Sequence, residues 1–256
     1  EQYIREAVEG AFAQTYEPLE IILSDDCSSD RTYEIMQEMA AAYEGPHKVR
    51  VRRNMENVGV GSHVSTVLAE SNGEYIAFAG WNKTFHTDTV HNIFSFNMSN
   101  LLNGSLSTSG PSRIIHRDLY RLFGDIADDC FTEDIIYLFR TALVGNVMYS
   151  DKKTIRYRKH RDNLSAPATL YAKPFLGVER QLRADLVTAT THNLISNQDK
   201  QRASEWIDAN VAFRSFYKSK LDGQRPEVRD LLRILGAGHL SLRRKFGLFR
   251  EYLGVR

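Results

Sequence analysis

The segment Leu19-Glu20-Ile21-Ile22-Leu23-Ser24-Asp25-Asp26-Cys27-Ser28-Ser29-Asp30 constrains the fold more than any other part of this chain. An apolar run rich in isoleucine and leucine suits a strand buried on both faces, as in a parallel sheet. It stops at two adjacent carboxylates, followed by small polar residues that can cap a helix. In open α/β sheets, ligands bind beyond the carboxyl ends of the strands. Two neighbouring acids at such a place repel each other unless a cation or a hydrogen-bond donor meets them. The segment therefore predicts both a fold class and a site.

The surrounding pattern extends the prediction. Tyr3, Ile4, Ala7, Val8, Ala11 and Phe12 recur at helical spacing over 2–14, and Glu17-Pro18 ends that helix. Ser29 or Asp30 caps a second helix, whose apolar face is Tyr33, Met36, Met39, Ala40 and Tyr43. Val49 to Arg52 alternates as a strand, Asn57 to Gly61 is a turn, Val64, Val67 and Leu68 lie on a third helix, and Glu74 to Ala79 is a third strand. The order α-β-α-β-α-β predicts crossover connections and a parallel sheet. Because it opens on a helix, a first strand is expected upstream of Glu1. Residues 81–112 show little periodicity. Glu133 to Leu143 reads as a helix closed by Gly145, followed by strands at 146–149 and 154–158. From about Pro174 only helical patterns follow, at 174–196, 199–221, 226–236 and 239–253. The domains expected are 1–170, an α/β unit, and 171–256, a helical appendage.

Bulk properties narrow the function classes. A net charge of +1 over 256 residues argues for no nucleic-acid partner, and no run of 18 apolar residues predicts a membrane span. The two cysteines, Cys27 and Cys130, make no disulfide framework, and no signal peptide opens the sequence, so a cytoplasmic setting is expected.

The motifs fall in a fixed order. Gln14-Thr15-Tyr16-Glu17-Pro18-Leu19-Glu20-Ile21-Ile22 leads into Asp25-Asp26-Cys27-Ser28-Ser29-Asp30. Then come Asn57-Val58-Gly59, Gly73-Glu74-Tyr75-Ile76, Phe131-Thr132-Glu133-Asp134, and Tyr157-Arg158-Lys159-His160-Arg161-Asp162-Asn163-Leu164-Ser165. This series, over about residues 1–165, resembles the family 2 glycosyltransferases of the GT-A fold. The resemblance implies an α/β nucleotide-diphospho-sugar transferase fold, a mainly parallel sheet flanked by helices. The helical C-terminal appendage stands outside it.

The resemblance also implies roles. Asp26 matches the aspartate that accepts a hydrogen bond from the nucleobase, and a carboxylate suits the N–H edge of uracil, so a UDP-sugar is the expected donor. Asp25 belongs to the same donor loop, and Asp30 reads as a helix cap. Asn57 and Gly59 match the turn beside the nucleoside, although Gly59 also suits a tight turn for its own sake. Asp134 matches the general base that takes the proton of an acceptor hydroxyl in inverting transfer, with Glu133 as its neighbour on the acceptor side. Acids at a helix N-terminus are also favourable without any catalytic role. His160 and Arg158, in a basic strand exit, match residues near the diphosphate, and His160 is a candidate metal ligand. A divalent cation, Mg²⁺ or Mn²⁺, is implied as cofactor, and the acceptor is a saccharide or a lipid-linked saccharide. The expected setting is bacterial surface polysaccharide synthesis.

One departure matters. The family carries Asp-x-Asp or Asp-Asp just after the third strand, where the cation meets the diphosphate. Here Ala77-Phe78-Ala79 is followed by Gly80-Trp81-Asn82-Lys83, with no carboxylate until Asp88. Either the motif is lost, or residues are missing with the numbering run through the gap; the second is the expectation. Two other readings compete: a nucleotidyltransferase, which would want a Gly-rich basic loop after a first strand, and a degenerate sugar-nucleotide binding module without turnover. The tetrad His116-Arg117-Asp118-Leu119 copies a kinase catalytic loop, but the accompanying kinase motifs are absent.

Residues 225–256 hold eight Lys or Arg against three Asp or Glu. A basic amphipathic helix over 239–253 would suit peripheral contact with the inner face of a membrane. The plainer reading is a helix packed on its own domain or on a second copy in a homodimer.

Overall fold

The computed structural model describes residues 1–78, 93–103, 113–150, 167–237 and 242–253. The described chain forms two compact units. The first holds Glu1–Phe94, Thr108–Tyr137 and Met148–Lys159, and the second holds Ser95–Ser107, Leu138–Val147 and His160–Arg256.

The first unit opens on α1 (Ile4–Phe12), β1 (Glu20–Asp25), α2 (Thr32–Ala41), β2 (Lys48–Arg53), α3 (Val60–Glu70) and β3 (Tyr75–Ala77). This is the order that hydrophobic periodicity predicts. β1 and β2 pair in parallel, with Ile21 opposite Val49, Leu23 opposite Val51 and Asp25 opposite Arg53. Burial along β1 alternates, so Ile21, Leu23 and Asp25 share one face. Ile21 and Leu23 pack with Ile4 and Val8 of α1 and with Ile35 and Met36 of α2. The N-cap position of α2 is Arg31 rather than Ser29 or Asp30, and Asp30, just before it, accepts from Thr32 N through Oδ1 at 3.1 Å.

β4 (Ile93–Phe96), α4 (Met98–Leu102), β5 (Ile114–His116) and α5 (Arg117–Phe123) follow. β4 and α4 fall in the stretch whose sequence shows no clear period, and all four elements are only one or two turns or a few residues long. β3 pairs antiparallel with β5, Ile76 opposite Ile115, and β4 pairs with β6 (Val147–Ser150). The kinase-like tetrad is architectural. His116 caps α5 through Nδ1, which accepts from Asp118 N at 3.2 Å, and Arg117 donates to the carbonyls of Gly73 and Ser71 beyond α3.

α6 (Asp134–Val144) begins at the acidic pair. The helical elements α7 (Pro167–Ala172), α8 (Leu176–Thr191), α9 (Asn197–Leu221), α10 (Val228–Gly236) and α11 (Leu242–Tyr252) complete the chain, close to the four long helices read from sequence. In the second unit, Arg140 and Asp185 form a fully buried bidentate pair, Nε to Oδ2 at 2.8 Å and Nη2 to Oδ1 at 3.1 Å. Gln181 Nε2 donates a third bond to Asp185 Oδ1 at 2.9 Å, which such a desolvated carboxylate requires. Phe139 stacks on Trp206 nearby, and Phe216, Leu231, Ile234 and Leu248 form a further core. The expected strand over 154–158 lies outside the described residues.

Candidate functional site

The two carboxylates at the end of β1 part company. Asp25 continues the buried face of the strand, and its side chain is inaccessible. A carboxylate there must be compensated. Ser28 N donates to Oδ2 at 3.0 Å, Ser28 Oγ donates to Oδ1, and Arg53 Nε lies 3.2 Å from Oδ2. Arg53 is the register partner of Asp25 on β2 and also donates to the Ser28 carbonyl at 2.6 Å. Asp25 therefore shapes the loop 25–28 rather than presenting oxygens to a ligand.

Asp26 has left the strand and meets the loop after β2. Its Oδ1 accepts from Asn54 Nδ2 at 2.6 Å and from Val58 N at 3.0 Å, and its Oδ2 accepts from Gly59 N at 2.9 Å. A carboxylate offers about four acceptor positions. Three are filled, so one position on Oδ2 remains for an external donor, on a side chain that keeps 19% of its surface exposed. The turn it organises is Asn57-Val58-Gly59. Asn57 Oδ1 accepts from Gly59 N at 3.2 Å, and Gly59 has φ 82, a conformation natural only to glycine, just before α3.

The sequence patterns mark Val58 and Gly59 but not Asn54, the third donor to Asp26. Asn54 Nδ2 also meets His63 Nδ1 at 3.1 Å, while Arg52 Nη2 donates to Asn54 Oδ1 at 2.6 Å and fixes which way the amide faces. Two donors converge from Asn54, so His63 Nδ1 acts as acceptor, which needs a neutral imidazole. Burial lowers the His63 pKa below its usual value, against the pull of the nearby Asp26 carboxylate. The only sequence signal for this network is an Asn four residues before Val58, too slight to read.

The acidic pair at α6 lies in the same compact unit. Glu133 is mostly shielded from solvent. That burial, with a hydrogen bond to Asp134 and the repulsion of its charge, pushes the Glu133 carboxyl up to about 8. Near neutral pH it keeps its proton and can donate to the Asp134 carboxylate. Asp134 Oδ1 is buried and lacks any other donor within hydrogen-bonding reach, with Arg113 Nη2 at 3.6 Å. The Asp134 side chain is 42% exposed, so its accessible surface lies with Oδ2 and the methylene rather than with Oδ1. Arg113 is itself buried, which lowers its pKa against the opposing pull of Asp134 and Glu133. This cation, just before β5, is a further site residue that the sequence patterns leave unmarked.

Packing ties the two places together. A Cβ on Gly61 would lie 2.6 Å from the Cys130 carbonyl oxygen and 3.1 Å from Ile126 Cγ2, so α3 approaches the segment before Glu133 at a distance only glycine permits. Ser65 Oγ accepts from Ile126 N at 2.8 Å, and Ser62 Oγ donates to Asp128 at 2.8 Å. The helix that begins at the Asp26-bound turn thus positions the chain leading to Glu133 and Asp134.

His160 and Arg158 lie outside the described residues, as does the segment 79–92 where the metal motif is expected. The sequence runs continuously over residues 1–256. No Asp-x-Asp or Asp-Asp follows β3 in that sequence. Among the described residues, no group of three His, Cys, Asp or Glu is placed to hold a metal ion.

Residues 1–94 match the family model for glycosyl transferase family 2. An uncharacterized protein of Mycobacterium tuberculosis is 44% identical over 78 residues, 30% of this chain and 22% of that protein. The glycosyltransferase GlyA of Streptococcus pneumoniae is 28% identical over 94 residues, 37% of this chain and 13% of GlyA. A Bacillus subtilis protein named for teichuronic acid biosynthesis, TuaG, is 29% identical over 96 residues, 38% of this chain and 37% of TuaG. The matched stretch is thus well under half of each of these relatives. The mannosyltransferase PcManGT from Pyrobaculum calidifontis, solved with GDP-Man and Mn²⁺, aligns over 99% of this chain and 76% of its own, with a TM-score of 0.59 and 13% identity. That likeness shows the fold alone.

The fold is GT-A. The family 2 segment contains Asp25, Asp26, the Asn57-Val58-Gly59 turn, Asn54 and His63. Glu133, Asp134 and Arg113 lie beyond it in sequence, and their place in the site rests on the packing of α3.

Proposed function

We propose that this chain transfers a sugar from a nucleoside diphosphate donor to an acceptor hydroxyl, by a single displacement with inversion, in the assembly of bacterial surface polysaccharide. The observation that carries the reading is the acidic pair at the start of α6. Glu133 is shielded from solvent, which raises its carboxyl, and the Asp134 side chain beside it is partly exposed. In the proposed reaction Asp134 Oδ2 takes the proton of the acceptor hydroxyl as that oxygen bonds to the anomeric carbon. The bond from the anomeric carbon to the diphosphate breaks, and its electron pair leaves with the diphosphate. Glu133 orients Asp134 and contributes to the acceptor side. Asp26 receives the N–H of a base such as uracil at its open Oδ2 position, with Asn57 and Gly59 forming the adjoining wall and Asp25 holding the loop. Arg158 and His160 are assigned to the diphosphate on the resemblance alone. The name of TuaG supports polysaccharide as the product class.

A divalent cation, Mg²⁺ or Mn²⁺, belongs to this reading because the resemblance implies it and because PcManGT was solved with Mn²⁺. The described residues do not fit one, so no step is assigned to it. The same observation favours a second reading, a binding module that holds a nucleotide sugar without turnover.

The test is a thermal-shift series with UDP, GDP and dTDP, with and without Mn²⁺, followed by donor hydrolysis. Binding at about a hundred times Kd stabilises the native state by about 2.7 kcal/mol, which reads as a rise of several degrees. A shift abolished by Asp26→Ala, together with release of nucleoside diphosphate, supports transfer. A shift without release supports the binding module, and no shift with any of the three overturns both.

A further inference from the structure

The helical unit carries a surface that its own packing leaves uncovered. α11 is anchored from inside, with Leu248 buried against Phe216, Leu231 and Ile234. Its opposite face is apolar as well: Phe246 is 64% exposed and Phe249 40%. On α10, Leu231 and Ile234 point into the core while Val228 and Leu232 are exposed, Leu232 to 63%. Leu235 joins the two faces, since it lines one shallow depression with Lys245, Phe246 and Phe249. A helix that buries one apolar stripe and exposes another is not explained by folding alone.

The charge around this patch is one-sided. The three acids of residues 225–256 are all taken: Glu227 pairs with Arg229, Glu251 pairs with Lys220, and Asp230 is buried. Lys245, which lines the depression, makes no ion pair among the described residues, and Arg243-Arg244 precede it in sequence, whereas Arg233 faces the other side of α10, toward Glu205 and Asp208. A second copy docked symmetrically on this face would set like charges against each other. An anionic surface that accepts both apolar side chains and cations fits without that cost.

We propose that the exposed faces of α10 and α11 together dock on an anionic lipid bilayer, with Leu232, Phe246 and Phe249 entering the interfacial region and Lys245, at the rim of the depression, meeting lipid phosphates. The proposal concerns the helical unit alone and does not rest on the sugar-transfer reading. The experiment is co-sedimentation of the full chain with phosphatidylcholine vesicles, with and without phosphatidylglycerol, at low and high salt. The expected result is partitioning to the anionic vesicles that falls as salt rises. Phe246→Ser with Phe249→Ser lowers it at least about tenfold, from the lost apolar burial, and Lys245→Ala lowers it roughly fivefold. Both positions are surface sites, so an unchanged Tm shows that the variants stay folded. Absence of binding to anionic vesicles at low salt overturns the proposal. Equal binding of the double Phe variant does the same, as does a dimer in solution that the double variant dissociates.

Discussion

Asp26 serves the architecture of its loop, and in the proposed reading it serves recognition as well. Three donors fill three of its acceptor positions and leave one pointing outward. Asp26→Ala leaves Val58 N without its partner, at about 1–3 kcal/mol for an unsatisfied group that stays buried, and leaves Gly59 N only its longer bond to Asn57 Oδ1. We expect a lower Tm and loss of the nucleotide-induced shift. Asn54→Ala disturbs the same carboxylate from behind and should weaken that shift while leaving the open Oδ2 position in place. Glu133 gives a second residue-scale prediction. Its carboxyl is raised from an ordinary 4.5 to about 8, so between those values the native state holds more protons than the unfolded chain. Stability is then greatest below this window, falls as pH rises through it, and levels off above about 8. Glu133→Gln carries no titrating proton, so its Tm should change less over the same window and exceed that of the parent at pH 9. Denaturation followed at several pH values decides this, and parallel curves for the two proteins would refute the assignment.

At the scale of elements, what sequence makes legible is what repeats. α1, β1, α2, β2 and α3 could be read because each buries a periodic face, such as Ile21 and Leu23 on β1. The same holds for α6 and the four long C-terminal helices. β4, α4, β5 and α5 could not, because elements as short as Ile114–His116 leave no period to detect. The Asp25-Asp26 strand end stands out as a candidate because two carboxylates follow an apolar run, whereas Glu133-Asp134 is singled out by the family resemblance rather than by a local pattern. Asn54, His63 and Arg113 are marked by neither, since their roles depend on contacts across 28 residues or on burial that no local pattern records. Gly61 lies between these cases: it reads as part of a turn but acts as a contact point. Gly61→Ala places a methyl 2.6 Å from the Cys130 carbonyl oxygen, and α3 must move. We expect a loss of about 1–3 kcal/mol, with donor turnover falling further than donor binding, because the displaced segment leads to Asp134. Equal losses in both would show that α3 does not set the position of the pair.

At the scale of the whole molecule, two compact units divide the work. The first holds Asp26 and the acidic pair, and the second holds its own core and the exposed apolar surface of α10 and α11. The second unit is stabilised in part by the Arg140–Asp185 pair, and breaking it with Asp185→Ala should cost about 3–5 kcal/mol because a buried guanidinium loses its counter-charge. Replacing both residues by Met and Leu should recover much of that loss in a melting experiment. The claim that Asp134 is the base is the centre of the account. The most direct measurement compares nucleoside diphosphate release by the parent and by Asp134→Asn, in the presence of donor, acceptor and Mn²⁺, with donor affinity measured on the same samples. We predict equal donor affinity and release slowed by about 10²–10⁴-fold in the variant; release at near the parent rate would contradict the account.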